Sequence, residues 1–249
     1  MLRFLGLLLL ATLALQLYFV ARIAAMAVSN PESTAFQRSQ AWLITSQKGE
    51  LKWRQHWVPY EQISDNLKRA VIASEDATFI DHEGIDVEAL EKAWDRNVKE
   101  DAKADQRAAQ PNGKTARANP AKTAKPPKII GGSTITQQLA KNLFLSGERT
   151  LLRKGQELVL TVMLETLLGK QRILEIYLNS VEWGEGVFGA EAAAQHYFRK
   201  PASKLSAFEA ARLAVMLPRP KYFETRPNSG YLNARASTIT ARMGGVELP

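Results

Sequence analysis

The residues that could do chemistry in this chain are two carboxylates and a small set of cations. Glu75 and Asp76 arrive together in SEDATFIDHEGID, residues Ser74 to Asp86, with Phe79 and His82 close behind. A carboxyl group whose pKa is raised by burial or by a neighbouring like charge can act as a general base. In GGSTITQQLAKN, Thr134, Gln138 and Lys141 fall at i, i+4 and i+7, so a hydroxyl, an amide and an ammonium share one helix face. In LLRKGQELVLTVMLETLL, Arg153, Glu157, Thr161 and Glu165 recur every four residues, a polar stripe on a helix that is otherwise apolar nearly all round. A buried charge is costly unless it is paired or used. The pattern therefore points to an acid working on an anion that cations cradle. The plainer readings are a solvated face on the first helix, a self-contained Arg153 to Glu157 pair on the second, and a core histidine bonded to backbone at His82.

The elements that must position these groups are helices. Leu67, Val71 and Ile72 give an apolar face to a helix over Asp65 to Ser74, which delivers Glu75 and Asp76 at its end. Gly131 and Gly132 let the backbone turn. Thr134-Ile135-Thr136-Gln137 has the form of a capping box, so a helix starts there, and exposed N–H groups at a helix start suit an anion. Thr150 is the expected N-cap of the polar-striped helix and Gly169 its stop. Ile173 to Leu178 form a buried helix, Gly184, Gly186 and Gly189 a turn-rich loop, and Ala190 to Phe198 another helix. Ser206 to Glu209 is a second capping box, opening a helix that Pro218 stops. A further helix is expected from Asp86 to Lys99, with Val87, Leu90 and Trp94 on one face. The architecture is expected to be mainly α.

At 249 residues the chain can bury one sizeable core or two small ones. Residues Phe4 to Ala21 carry no charge and are long enough to cross a bilayer. Ala25-Met26-Ala27 could be a cleavage site, but the apolar run is longer than a usual signal-peptide core, so residues 1–28 are expected to be an uncleaved anchor. The flanking Arg3 and Arg22 leave its orientation open, and the lack of cysteine leaves the compartment open. The net charge of +8 is concentrated: Val98 to Lys128 hold eight basic against three acidic residues. That stretch, residues 98–128, has almost no large apolar residue and is expected to be a disordered basic insertion, either near an anionic membrane or inert. No nucleic-acid-binding motif accompanies the charge, so no nucleic-acid partner is expected. Phe36, Trp42, Trp53, Trp57 and Tyr60 follow the apolar segment, placed either at the headgroup level or beneath the main domain.

Five segments in this order, SEDATFIDHEGID, GGSTITQQLAKN, RKGQELVLTVMLE, KQRILEIYLNSVEWGEGVFGAEAAAQHYF and LSAFEAARLAVMLPRP, resemble the signature set of the peptidoglycan glycosyltransferases. This is the family-51 domain that also occurs fused to penicillin-binding transpeptidases. The resemblance covers about residues 60 to 228 and departs from the family in a much longer loop between its first two segments. Ser-x-x-Lys and Lys-Thr-Gly, the transpeptidase signals, do not occur, so the chain resembles the monofunctional, membrane-anchored type.

The resemblance implies a lysozyme-like α lobe with a smaller membrane-facing lobe, a transferase domain over residues 29–249, and a single-pass anchor in the bacterial inner membrane with the domain in the periplasm. The implied substrates are lipid II, a disaccharide-pentapeptide on undecaprenyl pyrophosphate, and the growing glycan chain. The implied products are β-1,4-linked glycan, formed with inversion, and undecaprenyl pyrophosphate. Glu75 would be the general base and Glu157 the second essential acid. Asp76, Phe79, Thr134, Gln137, Gln138, Lys141, Asn142, Arg153 and Lys154 would bind substrate. A divalent metal, magnesium or manganese, is a candidate cofactor, and Glu157 could hold it or orient Arg153. Other cell-wall synthesis or division proteins are candidate partners. Two other readings compete: a lysozyme-like glycan hydrolase or lytic enzyme, which also needs two carboxylates, and a non-enzymatic module that holds a pyrophosphate lipid.

Overall fold

The computed structural model describes residues 2–88, 90–91, 133–145, 147 and 150–249. It divides into a unit of residues 1–85 and 134–249 and a unit of residues 86–133. In the second unit, Val87, Glu88, Leu90 and Glu91 are helical and the Leu90 N–H bonds the Asp86 carbonyl at 3.0 Å, matching the start of the expected helix. The rest of that helix, Gly131, Gly132 and the basic stretch 98–128 lie outside the described residues.

The first unit is mainly α, as expected. Its helices are α1 (Leu2–Ala25), α2 (Ala35–Lys48), α3 (Asp65–Glu75), α4 (Ile135–Phe144), α5 (Leu151–Leu167), α6 (Lys170–Ser180), α7 (Ala190–Phe198), α8 (Ala207–Met216), α9 (Pro220–Glu224) and α10 (Gly230–Arg242). Helix α1 contains a span, Arg3–Ala25, long and apolar enough to cross a membrane, with an 18-residue stretch of mean hydropathy 2.2 that the protein leaves unburied. At the end of α1, Ile23 and Met26 pack into the core and Arg172 holds the Met26 carbonyl at 2.8 Å. The end of the apolar helix is thus part of the fold. Gln16 and Gln156 exchange hydrogen bonds, and the rings of Phe19 and Phe144 meet edge-on at 5.3 Å, which seats α1 against α5 and α4.

Local caps decide where several helices begin. Thr134 with Gln137, and Ser206 with Glu209, each make both bonds of a capping box, satisfying N–H groups that the first turn leaves unpaired. The Thr150 hydroxyl accepts from the Arg153 N–H. Helix α2 was not anticipated, although Thr34 and Gln37 form a third capping box at its start. Nor was α10, which Ser229 caps.

The core is continuous through the first unit. Leu67, Val71 and Ile72 of α3, Ile135 and Leu139 of α4, Leu160 and Leu164 of α5, and Leu174 and Tyr177 of α6 are all buried. Helix α8 packs against both α3 and α10, and α4 packs against α2, α5 and α6.

The glycine segment after α6 forms more than a loop. Strands β2 (Glu182–Gly184) and β3 (Val187–Phe188) pair antiparallel, and β1 (Arg54–Gln55) adds parallel to β3. The sheet order is β1-β3-β2. Gly186 makes this possible: its φ is +70°, and a Cβ there would lie 2.0 Å from the Lys52 carbonyl oxygen. Two of the preceding aromatics pack on this sheet, with Trp53 stacked on Phe188 at 4.4 Å and Phe36 edge-on to it at 6.3 Å. Trp57 bonds Glu175 and Tyr60 is buried, while Trp42 stays 77% exposed.

Candidate active site

The end of α3 holds two adjacent carboxylates in different surroundings. Asp76 caps the helix and is buried. One of its oxygens meets His82 Nε2 at 2.8 Å, and the other accepts the Ile135 N–H, an unpaired donor in the first turn of α4, at 2.9 Å. Asp76 therefore ties the end of α3 to the start of α4. His82 also accepts the Gly84 N–H, so it bonds both backbone, as expected, and a carboxylate, which was not.

Glu75 instead accepts a hydrogen bond at 3.0 Å from the Gln138 amide, a neutral donor on α4. Burial pushes its pKa above the ordinary 4.5, and the Asp76 charge pushes it further, while the bonds from Gln138 and Ser74 oppose the rise. The Gln138 amide is itself oriented, because the Tyr177 hydroxyl donates to its carbonyl oxygen at 2.9 Å. The Tyr177 phenol is buried and held well above its ordinary value, so it stays protonated as the donor in this chain.

Helix α5 supplies the cations. Arg153 Nη1 bonds one oxygen of Glu157 at 3.0 Å, and Lys154 Nζ bonds the other. Glu157 is almost wholly buried, so this contact satisfies a carboxylate that would otherwise be costly. Arg153 Nε is buried and has no hydrogen-bond partner among the described residues, a donor left over for something else. Lys141 of α4 stands beside this pair. The surrounding protein and then the Arg153 and Lys154 charges lower its pKa, while Glu157 and Glu75 hold it up. Lys141 is exposed, so loss of water acts on it only partly.

Gln138, Lys141, Asn142 and Arg153 line a cavity of about 480 Å³, shared with Tyr177 and Glu182. Glu75 joins it through Gln138, and Glu157 through Arg153. Of the other expected substrate-binding residues, Lys154 is exposed while Asp76, Phe79, Thr134 and Gln137 are buried. Phe79 is fully buried, edge-on to His82 with the Lys170 ammonium over its ring. Thr134 and Gln137 are occupied by their capping box, and the Thr134 hydroxyl also donates to the Gly84 carbonyl at 2.7 Å. The expected face of Thr134, Gln138 and Lys141 is thus divided, because its first member is turned into the protein. Gly84 allows this approach with φ +82°, where a Cβ would meet Thr161 at 2.6 Å.

Tyr177 and Glu182 were missed as cavity residues. Tyr177 sits in a run of core residues, and nothing in its spacing marks its hydroxyl. Glu182 could have been found as a lone acid between Val181 and Trp183, both buried.

The stripe along α5 also divides. Glu157 serves the cavity side, whereas Glu165 is bonded by the Thr136 hydroxyl at 2.6 Å and the Lys170 ammonium at 2.9 Å, which knits α4, α5 and α6 together. Thr161 returns its hydroxyl to the Glu157 carbonyl.

Fold and cavity together define a class: a mainly α protein with an apolar N-terminal helix, in which a base-like carboxyl stands beside cations suited to an anionic leaving group. Comparison with known proteins makes the assignment specific. The family model for transglycosylases matches residues 43–108 and 112–244. A biosynthetic peptidoglycan transglycosylase of Burkholderia thailandensis is 55% identical over 239 residues, 96% of this chain and 84% of the relative. Proteins of the same description from Burkholderia pseudomallei and Paraburkholderia xenovorans are 52% and 51% identical, each over 96% of this chain and over 84% and 89% of their own lengths. The chain belongs to the transglycosylase family.

Proposed function

We propose that this protein polymerises lipid II, with Glu75 as the general base. It is a peptidoglycan transglycosylase, and the chemistry of that transfer assigns roles to the side chains around the cavity. The acceptor sugar hydroxyl is a poor nucleophile, so Glu75 takes its proton as the oxygen attacks the anomeric carbon of the donor. A carboxyl raised above its ordinary pKa is a stronger base, better matched to neutral pH. The new glycosidic bond forms on the face opposite the pyrophosphate, the bond to pyrophosphate breaks, and the configuration inverts.

Negative charge grows on the departing pyrophosphate, and Lys141 and Arg153 stand where it is needed. Arg153 lines the cavity, and its Nε has no hydrogen-bond partner among the described residues, so its guanidinium keeps donor capacity for a phosphate oxygen. Glu157 holds Arg153 and Lys154 in place rather than binding substrate. Its two oxygens are both engaged by cations, so the donor set does not fit a divalent ion at Glu157, and no step is assigned to one. Polymerisation in EDTA checks this, with turnover expected to persist.

Residues 1–28 would anchor the enzyme in the inner membrane, with residues 29–249 as the transferase domain in the periplasm beside a substrate held in the same bilayer. Other cell-wall synthesis or division proteins would be its partners there. The observation that carries the reading is the bond from Gln138, a residue that lines the cavity with Lys141 and Arg153, to Glu75, whose carboxyl has a raised pKa. The test is Glu75→Gln assayed with labelled lipid II. Polymer should disappear from the gel while lipid II still binds, and wild-type turnover in this variant would refute the assignment. Finished, lipid-free glycan should stay intact with the wild-type enzyme, and its shortening would favour a hydrolase.

A further inference from the structure

Glu182 is a buried acid that the chemistry above does not use. It lies on β2, whose position is fixed by pairing with Phe188 on β3, by the bond from Trp183 Nε1 to the Leu213 carbonyl, and by the Tyr197 hydroxyl on the Trp183 carbonyl. Its side chain is only 7% exposed and lines the same cavity as Gln138, Lys141 and Arg153. Its Oε1 makes no hydrogen bond among the described residues. Lys221 of α9 is near, with Nζ 3.4 Å from that oxygen, but its short bond goes elsewhere, to Gln40 at 2.6 Å. Glu182 is thus a buried carboxylate held by one long ion pair, with acceptor capacity left for a ligand.

We propose that Glu182 contacts substrate, its carboxylate accepting a hydrogen bond from a hydroxyl or amide N–H of a bound sugar, with Lys221, paired to Oε1, as the residue that positions it. The inference rests on reading this cavity as the sugar site. A neutral donor fits better than a cation, because the cavity already carries Lys141 and Arg153. It fits better than a phosphate, which would bring a second negative charge to a buried acid.

The surroundings make this contact sensitive to pH. Burial raises the Glu182 carboxyl to about 7, Lys221 opposes the rise, and Glu224 and Glu185 add to it. Other titratable groups stand near this charge set. His196 of α7 lies 3.4 Å from Glu224, Lys48 of α2 pairs with Glu185, and the Tyr197 phenol is pushed up partly by Glu182 itself. Lys141, Arg153 and Tyr177 line the same cavity. Since the ionised carboxylate is the better acceptor, substrate should bind more tightly as pH rises through about 7.

The experiment is steady-state polymerisation of labelled lipid II by the full chain, at several pH values, with Glu182→Ala, Glu182→Gln and Lys221→Met. Glu182→Ala should raise KM roughly tenfold with little change in kcat, the size expected for losing one hydrogen bond to a charged group. Glu182→Gln keeps an acceptor oxygen but cannot ionise, so its KM should stay near the value that the wild type has below pH 7 and lose the inflection. Lys221→Met removes the charge that holds the Glu182 pKa down, so the inflection should move to higher pH. A wild-type KM in Glu182→Ala, a loss confined to kcat, or an inflection that survives in Glu182→Gln would overturn the proposal. Should Glu182→Ala fail to fold, the pH profile of Glu182→Gln decides. Glu75→Gln separates the two readings. If it is inactive while Glu182→Ala behaves as wild type, only this inference falls. If it turns over normally while Glu182→Ala raises KM, the base assignment falls and the sugar contact stands.

Discussion

The end of α3 and the polar stripe of α5 each place two carboxylates on one short stretch, and in each case one serves the cavity and the other the framework. Asp76 is saturated by a helix-start N–H and by His82, while its neighbour Glu75 receives only neutral hydrogen bonds and keeps a raised pKa. Glu157 meets two cations at the cavity, while Glu165, two turns later, is locked by Thr136 and Lys170. The lesson is that residue type and sequence position do not separate a working acid from a structural one. The number and charge of the donors it meets do.

Five substitutions sharpen that contrast. Glu75→Gln removes the base and should lower kcat by roughly 10³-fold, the range for losing general-base catalysis, with the protein still folded by thermal melt. Glu157→Gln leaves Arg153 and Lys154 without their anion. It should cut kcat/KM by roughly tenfold to a hundredfold, since each charge-assisted bond contributes about 1.5–3 kcal/mol. A loss as small as that from the Glu165 change would erase the distinction along α5.

Asp76→Asn should cost about 1–3 kcal/mol in denaturant unfolding because it weakens the tie from α3 to α4. It also removes the negative charge that raises Glu75, so the acid limb of the kcat/KM profile should move to lower pH. Gln138→Ala removes a bond that lowers the Glu75 pKa, so in that variant the limb should move to higher pH. Shifts of the same sign in both would show that the limb belongs to another group. Glu165→Gln should have the smallest effect, about 1 kcal/mol of stability with kcat unchanged, because the pair it breaks lies away from the cavity.

Much of the framework was legible because helix starts are local. Thr134 with Gln137, Thr150, and Ser206 with Glu209 mark their own helices within three residues, and the structure has all of them. Helix α2 went unread despite its capping box, because the residues after it follow no clear helical period. The small sheet was hidden for a different reason. Its parallel pair joins Arg54 to Val187, a contact between distant stretches that neither writes alone, and strands of two or three residues carry too little alternation to detect. The candidate site was legible as a set of residue types, since Glu75, Gln138, Lys141 and Arg153 were all marked by spacing or by family motif. Its division into cavity wall and support was not.

By itself the sequence determined the apolar first helix, the capped helices, and the polar faces on α4 and α5, because hydrophobic period and capping act over a few residues. Only the tertiary structure decided that Gln138 reaches Glu75 across 63 residues of chain and that Tyr177 aims the Gln138 amide. It alone turned Thr134 inward and set Glu182, paired at long range with Lys221, on the lining of the cavity. Desolvation and hydrogen-bond saturation depend on neighbours from distant parts of the chain, and they determine which acids keep a raised pKa and which are spent on holding helices together.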